Sequence, residues 1–126
     1  MTYKGDASWI HAIDPGAARA VTDFGSVGVS ALALAEGPDP WTATVLVCDA
    51  GGSLQAHLAG RDQIFLPIEG RGWLEIEGVR HEIEPGSYGV VRAGQLHAKG
   101  AITDLVVLVL QSPTIRANAS SDARNR

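Results

Sequence analysis

The apolar residues of this chain fall into short runs, each closed by glycine, proline or an acidic turn, and that punctuation predicts strands. Residues Val27 to Ala35 read VGVSALALA and are closed by Glu36-Gly37-Pro38-Asp39-Pro40, a strand with a proline-bearing turn after it. Trp41 to Asp49 is a second strand, rich in β-branched residues, and Ala50-Gly51-Gly52 ends it. A loop then carries Gln55 and His57. Gln63 to Ile68 is strand-like, but Pro67 cannot donate to a ladder and marks an edge, a bulge or the strand's end. Trp73 to Glu77 alternates cleanly, with Leu74 and Ile76 on one face and Trp73, Glu75 and Glu77 on the other. Gly78-Val79 connects it to a return strand over Arg80 to Glu84. Pro85-Gly86 suits a type II turn, in which glycine takes the left-handed position. Tyr88 to Val91 is a further short strand, Ala93-Gly94 turns again, and Leu105 to Leu110 is apolar throughout, so both its faces should be covered.

No stretch of ordinary helical length carries a 3.6-residue period. Short strands separated by regular turn signals predict an all-β sandwich or barrel. The pattern divides the chain into an N-terminal arm over residues 1–20, a barrel over 21–112 and a small, polar C-terminal tail over 113–126. The arm should hold one short strand within Ser8 to Ile13. The tail should be mobile beyond about residue 115.

Composition narrows the classes further. The 126 residues make one domain, with 45% apolar and 19% charged residues, a globular balance. A formal charge of −4 gives no general electrostatic case for nucleic acid or an anionic membrane. Cys48 is the single cysteine, so no disulfide framework exists, and its apolar run VLVC makes it a small buried hydrophobe. The start of the chain lacks the apolar core of a secretory signal, and no run is long enough to span a bilayer. A cytoplasmic protein with no nucleic-acid or membrane partner is expected.

The segment Gly51 to His97 resembles the cupin family at several independent spacings. The first family motif, G-x5-H-x-H-x3,4-E-x6-G, is matched by Gly51, His57 and Gly70, with Ala59 at the second histidine position and Gln63 at the glutamate position. The second, P-G-x5-P-x-G-x2-H-x3-N, is matched by Pro85-Gly86, Gly94 and His97, with Arg92 at the second proline and Ala101 at the asparagine. The resemblance implies a double-stranded β-helix, the cupin jelly-roll barrel. It also implies a divalent metal held inside the barrel by the first motif's histidines and glutamate and the second motif's histidine, and a homodimer paired through the outer sheet and arm.

Two of those four ligands survive, and the residues support two readings of the site. In one, His57, Gln63 and His97 hold Fe, Mn, Zn, Ni or Cu, and the protein is a metal-assisted enzyme of oxygenase, isomerase, lyase or cyclase type acting on a small organic molecule. In the other, the same three residues hydrogen-bond one another, water or a ligand in a metal-free binding barrel. If there is catalysis, His57 and His97 are the acid–base candidates, because imidazole titrates near neutral pH. Arg61 and Arg92 flank the expected mouth and could pair with a substrate carboxylate, although surface roles are the ordinary reading. Tyr88 could donate a proton. Phe65, Trp73 and Leu110 could line an apolar cavity or simply fill the core. His11 and His81 read as arm and hairpin surface residues, and Glu75 and Glu77 as a solvated outer face.

Overall fold

The computed structural model describes residues 11, 13–38 and 40–116. The expected arm strand within Ser8 to Ile13 lies outside the described residues, apart from His11 and Ile13, and so do residues 117–126 of the expected tail. The described chain starts with a single 3-10 turn at Pro15–Ala17, capped by the Asp14 carboxylate, which accepts from the Gly16 N–H at 3.0 Å. Nine strands follow: β1 (Arg19–Ala20), β2 (Val27–Glu36), β3 (Thr42–Leu58), β4 (Asp62–Glu69), β5 (Gly72–Ile76), β6 (Val79–Ile83), β7 (Gly89–Val91), β8 (Leu96–Ala101) and β9 (Leu105–Ser112). All pairings are antiparallel, in the order β6-β5-β8-β3-β9-β4-β7, with β2 on β3 and β1 on β2. The sheet curls into the nearly closed barrel expected of a jelly roll.

The expected strands are present, and two stretches differ from expectation. Ala50-Gly51-Gly52 does not end the second strand but bends it, so the expected loop holding Gln55 and His57 is the second half of β3. Residues 42–48 pair with β9, while residues 53–58 pair with β8. Gly51 takes φ +83°, and a Cβ on Gly52 would strike the carbonyls of Val27 and Gly28, so the bend favours glycine at position 51 and requires it at position 52. The second difference is β8, Leu96–Ala101, where the mix of small residues with His97 and Lys99 gives little β signal of its own. Trp73 covers it from outside: a Cβ on Gly100 would strike the indole.

Alternation then builds the interior. Leu46, Cys48, Leu54, Phe65, Leu74, Val91, Leu105, Val107 and Val109 form the core. Leu74 is buried on the inner face of β5, and Arg80 lies 3.6 Å over the outward Trp73 ring, as the alternation predicts. Trp73 and Leu110 therefore face outward and do not line the cavity. Pro67 pairs with Val107 of β9 where β7 has already ended and just before a register shift, so its missing N–H disturbs no second ladder.

Asp62 closes the barrel's end. Its carboxylate accepts from the backbone N–H groups of Ala93 and Ile115, both at 2.8 Å, and from Arg92 at 3.3 Å. These donors hold the Asp62 carboxyl below the usual carboxylate range, the two backbone N–H groups most of all. The side chain lies just beneath the surface, covered but not deep. Arg92 also donates to the Ile115 carbonyl, so the segment after β9 is tied to the barrel as far as Ile115.

Gly51 and Gly70 are the two glycines of the first motif, and their environments separate them. Both are left-handed, at φ +83° and +85°. A Cβ on Gly51 meets open space, whereas one on Gly70 would run into the Asp104 carbonyl oxygen. Gly51→Ala should lower unfolding stability by about 1 kcal/mol, the strain alone, and Gly70→Ala by about 3 kcal/mol or more. Urea denaturation of the two variants tests this order.

Candidate functional site

A cavity of about 230 Å³ opens into the barrel. Its apolar wall comes from Leu46, Leu54 and Val109, and its polar wall from Thr44, His57, Gln63, Lys99 and Gln111. The exposed Phe24, Leu58 and Gly60 rim it. The pleat explains the set: Thr44 sits opposite Val109, which sits opposite Phe65, and Thr42 opposite Gln111, which sits opposite Gln63. On the other side Leu54 faces Lys99, and His57 faces His97.

His57 is held between two rings. Phe24 stacks on it at 3.7 Å between centroids with 9° between planes, and His97 contacts it at 4.3 Å and 55°. Its Nδ1 lies 2.9 Å from the Gln55 carbonyl oxygen. A carbonyl only accepts, so Nδ1 carries the proton, and in the neutral ring Nε2 presents a lone pair. Phe24 has φ +56°, a strained conformation for an aromatic residue, and its carbonyl accepts from the Gln55 N–H at 2.9 Å.

His97 lies deeper, at 1% exposure, and among the described residues neither ring nitrogen has a hydrogen-bond partner. Burial, then the neighbouring Lys99 and His57, push its pKa down to about 4. The carbonyls of Gln95 and His57 oppose this only as a weak field, since neither is hydrogen-bonded to the ring. His97 is neutral at neutral pH.

Lys99 shares the inner face of β8 with His97. It is 8% exposed, and its Nζ lies 4.0 Å from the centroid of the Phe65 ring, which backs it against the wall. Among the described residues it makes no ion pair, and no aspartate or glutamate lines the cavity. Burial pushes its pKa down to about 7, with Cys48 opposing slightly. The Cys48 thiol is itself pushed up to about 11 by burial and is inert, as its sequence context predicts.

The sequence candidates are thus sorted. His57 and Gln63 line the cavity and His97 lies against His57. Arg61 donates to the Pro40 carbonyl at 2.6 Å and Arg92 binds Asp62, so neither lines the cavity. Tyr88, His11 and His81 are exposed and away from it. Phe65 is core, behind Lys99. Lys99, Phe24, Thr44 and Gln111 were not among the candidates. Lys99 shares the parity of His97 in the stretch His97-Ala98-Lys99, and extending a strand through it would have shown the lysine to face inward.

The donor set fits a divalent metal poorly. Ala59, where a histidine would stand, is buried and has no donor. The remaining set is two imidazoles and an amide, with no carboxylate or thiolate to offset the ion's charge. Among the described residues no three histidine, cysteine, aspartate or glutamate side chains are grouped to hold a metal. The Lys99 amine occupies the same barrel.

The antiparallel jelly-roll barrel has the cupin fold, which solved structures share. The chain is similar to KdgF from a Halomonas species, with 29% identity over 70% of this chain and 81% of that one at TM-score 0.64. A cupin superfamily protein from Desulfitobacterium hafniense shares 17% identity over 68% of this chain and 78% of that one at TM-score 0.63. Salicylate 1,2-dioxygenase from Pseudoaminobacter salicylatoxidans shares 16% over 68% of this chain and 25% of that one at TM-score 0.63. The likeness to the last two is one of fold. No protein-family model and no curated protein matches the sequence. Among the described residues no helix is long and apolar enough to cross a membrane.

The buried amine has a measurable signature. Folded, Lys99 loses its proton near pH 7, whereas in the unfolded chain it holds it to about pH 10.4. Between those values the unfolded state binds more protons, so stability should rise as the pH is raised from about 7 to 10. His97 adds a second rise, from about pH 4 to about 6.5. Thermal melts should show both slopes, with Lys99→Met flattening the alkaline one and His97→Leu the acidic one.

Proposed function

We propose that this cupin binds a small organic anion, a compact carboxylate, inside its barrel at Lys99 and without a resident metal. The observation that carries the reading is Lys99 on the cavity wall with no carboxylate paired to it among the described residues. A buried ammonium is rarely left unpaired. An incoming carboxylate supplies the missing partner, and Thr44, Gln63 and Gln111 offer neutral donors around it. The cavity is small, which suits a compact ligand.

Calorimetric titration with propionate tests the pocket. Lys99→Met should weaken binding by about tenfold, the loss of one charge-assisted hydrogen bond of about 1.5 kcal/mol. Protein purified without chelators should carry far less than one equivalent of metal, and Ala59→His should raise that content by restoring a donor. Near-stoichiometric metal in the wild type that disappears in His97→Ala would overturn the metal-free reading.

We further propose that the chain pairs as a homodimer through its outer sheet, where Leu66 and Ile68 of β4 are exposed. Light scattering at micromolar concentration should give twice the chain mass, and Ile68→Glu should reduce it to the monomer's.

A further inference from the structure

Lys99 does more than present a charge. Lys99 lines the cavity, and its amine lies 4.0 Å from the centroid of the Phe65 ring. The elements packed around it bring three other titratable groups: Cys48 and His57 from β3, and His97 from its own strand. None is a carboxylate that would hold the amine as a fixed ammonium. The other polar groups on the wall are a hydroxyl and two amides, those of Thr44, Gln63 and Gln111. A primary amine so placed is both a counter-charge and a nucleophile.

We propose that Lys99 captures the carbonyl of a small oxo acid as a reversible imine inside the barrel. The inference rests on the anion-binding reading and names the ligand class of that site. The neutral Nζ forms a bond to the carbonyl carbon, and the carbonyl π electrons move to oxygen, which takes a proton. That proton is the first of the two on nitrogen; the second passes to the resulting hydroxyl, which departs as water and leaves the C=N bond. Amine and carbonyl are converted into imine and water, with no oxidant or reductant required. Protonated, the imine keeps a positive charge beside the ligand's own carboxylate, so the pairing that favours binding survives the covalent step.

The chain has two lysines, Lys4 and Lys99, so a covalent adduct is simple to assign. Wild-type protein is incubated with pyruvate and sodium cyanoborohydride, whose hydride reduces the imine to a stable secondary amine, and the product is mapped by peptide mass spectrometry. The expected result is one adduct per chain on Lys99, lost in Lys99→Arg, which keeps the charge, and reduced at least several-fold by excess propionate, which has no ketone. Circular dichroism of Lys99→Arg confirms its fold, and the wild-type peptide map is decisive without it. Absence of an adduct on Lys99, or modification confined to Lys4 and the terminal amine, overturns the imine. If pyruvate and propionate still bind by calorimetry in that case, the anion reading stands alone. If the Lys99 adduct forms but propionate neither binds nor competes, the anion reading fails and the carbonyl chemistry stands.

Discussion

Strand β3 is the constraint on which the rest of the molecule depends. Its first half lies between β2 and β9, and its second half turns to β8. One strand thus serves two parts of the barrel, and the change of partner occurs at Gly51-Gly52. The bend is tolerable because Gly51 reaches a left-handed φ and Gly52 lets the β2 carbonyls approach. Without it, His57 would not come opposite His97, nor Leu54 opposite Lys99. The cavity's two walls meet because one strand is shared between them. The turn after β4 is a second fixed point, since Gly70 packs on the Asp104 carbonyl that precedes β9.

The interior that this bend creates is unusual in its charge. Its hydrophobic wall is ordinary, and Phe65, Leu74, Val91 and Val107 are almost completely buried. Set into it, among the described residues, are a histidine with two unpartnered nitrogens and a lysine with no acidic partner. Both groups are driven toward their neutral forms by the same cause, loss of water. Fold stability alone would favour replacing either with an apolar residue of similar volume. Lys99 stands on the cavity wall and His97 lies against His57, which lines it.

Much of this was legible in the sequence, for physical reasons that differ from element to element. Turns are local, so Pro85-Gly86, Ala93-Gly94 and the alternation of Trp73 to Glu77 place their strands without knowledge of the rest. His57 and His97 come opposite each other because motif spacing encodes register, and register fixes which face a side chain takes. The bend at Gly51-Gly52 was not legible as a bend: a glycine pair reads alike whether a strand ends or turns a corner there. Arg92 illustrates the same limit at the mouth. As a sequence element it resembles a substrate-binding residue, but the fold gives it to Asp62, whose acceptance of the Ala93 and Ile115 N–H groups is non-local. β8 was missed because its burial comes from Trp73, a residue on another strand, rather than from its own apolar content.

The losses and the gain at this site form one electrostatic argument. A cupin metal centre concentrates positive charge in a low-dielectric barrel and offsets it with a carboxylate. Here the carboxylate position is Gln63 and one imidazole position is Ala59, so the negative ligand and a lone pair are both absent. A lysine stands two residues beyond the surviving His97, on the same inner face. A divalent ion and an ammonium sharing so small a chamber would repel by an amount on the order of several kcal/mol. An organic anion reverses the sign of that interaction with the same residues in place. Under the anion-binding reading proposed above, Lys99 supplies the positive charge that such a ligand pairs with.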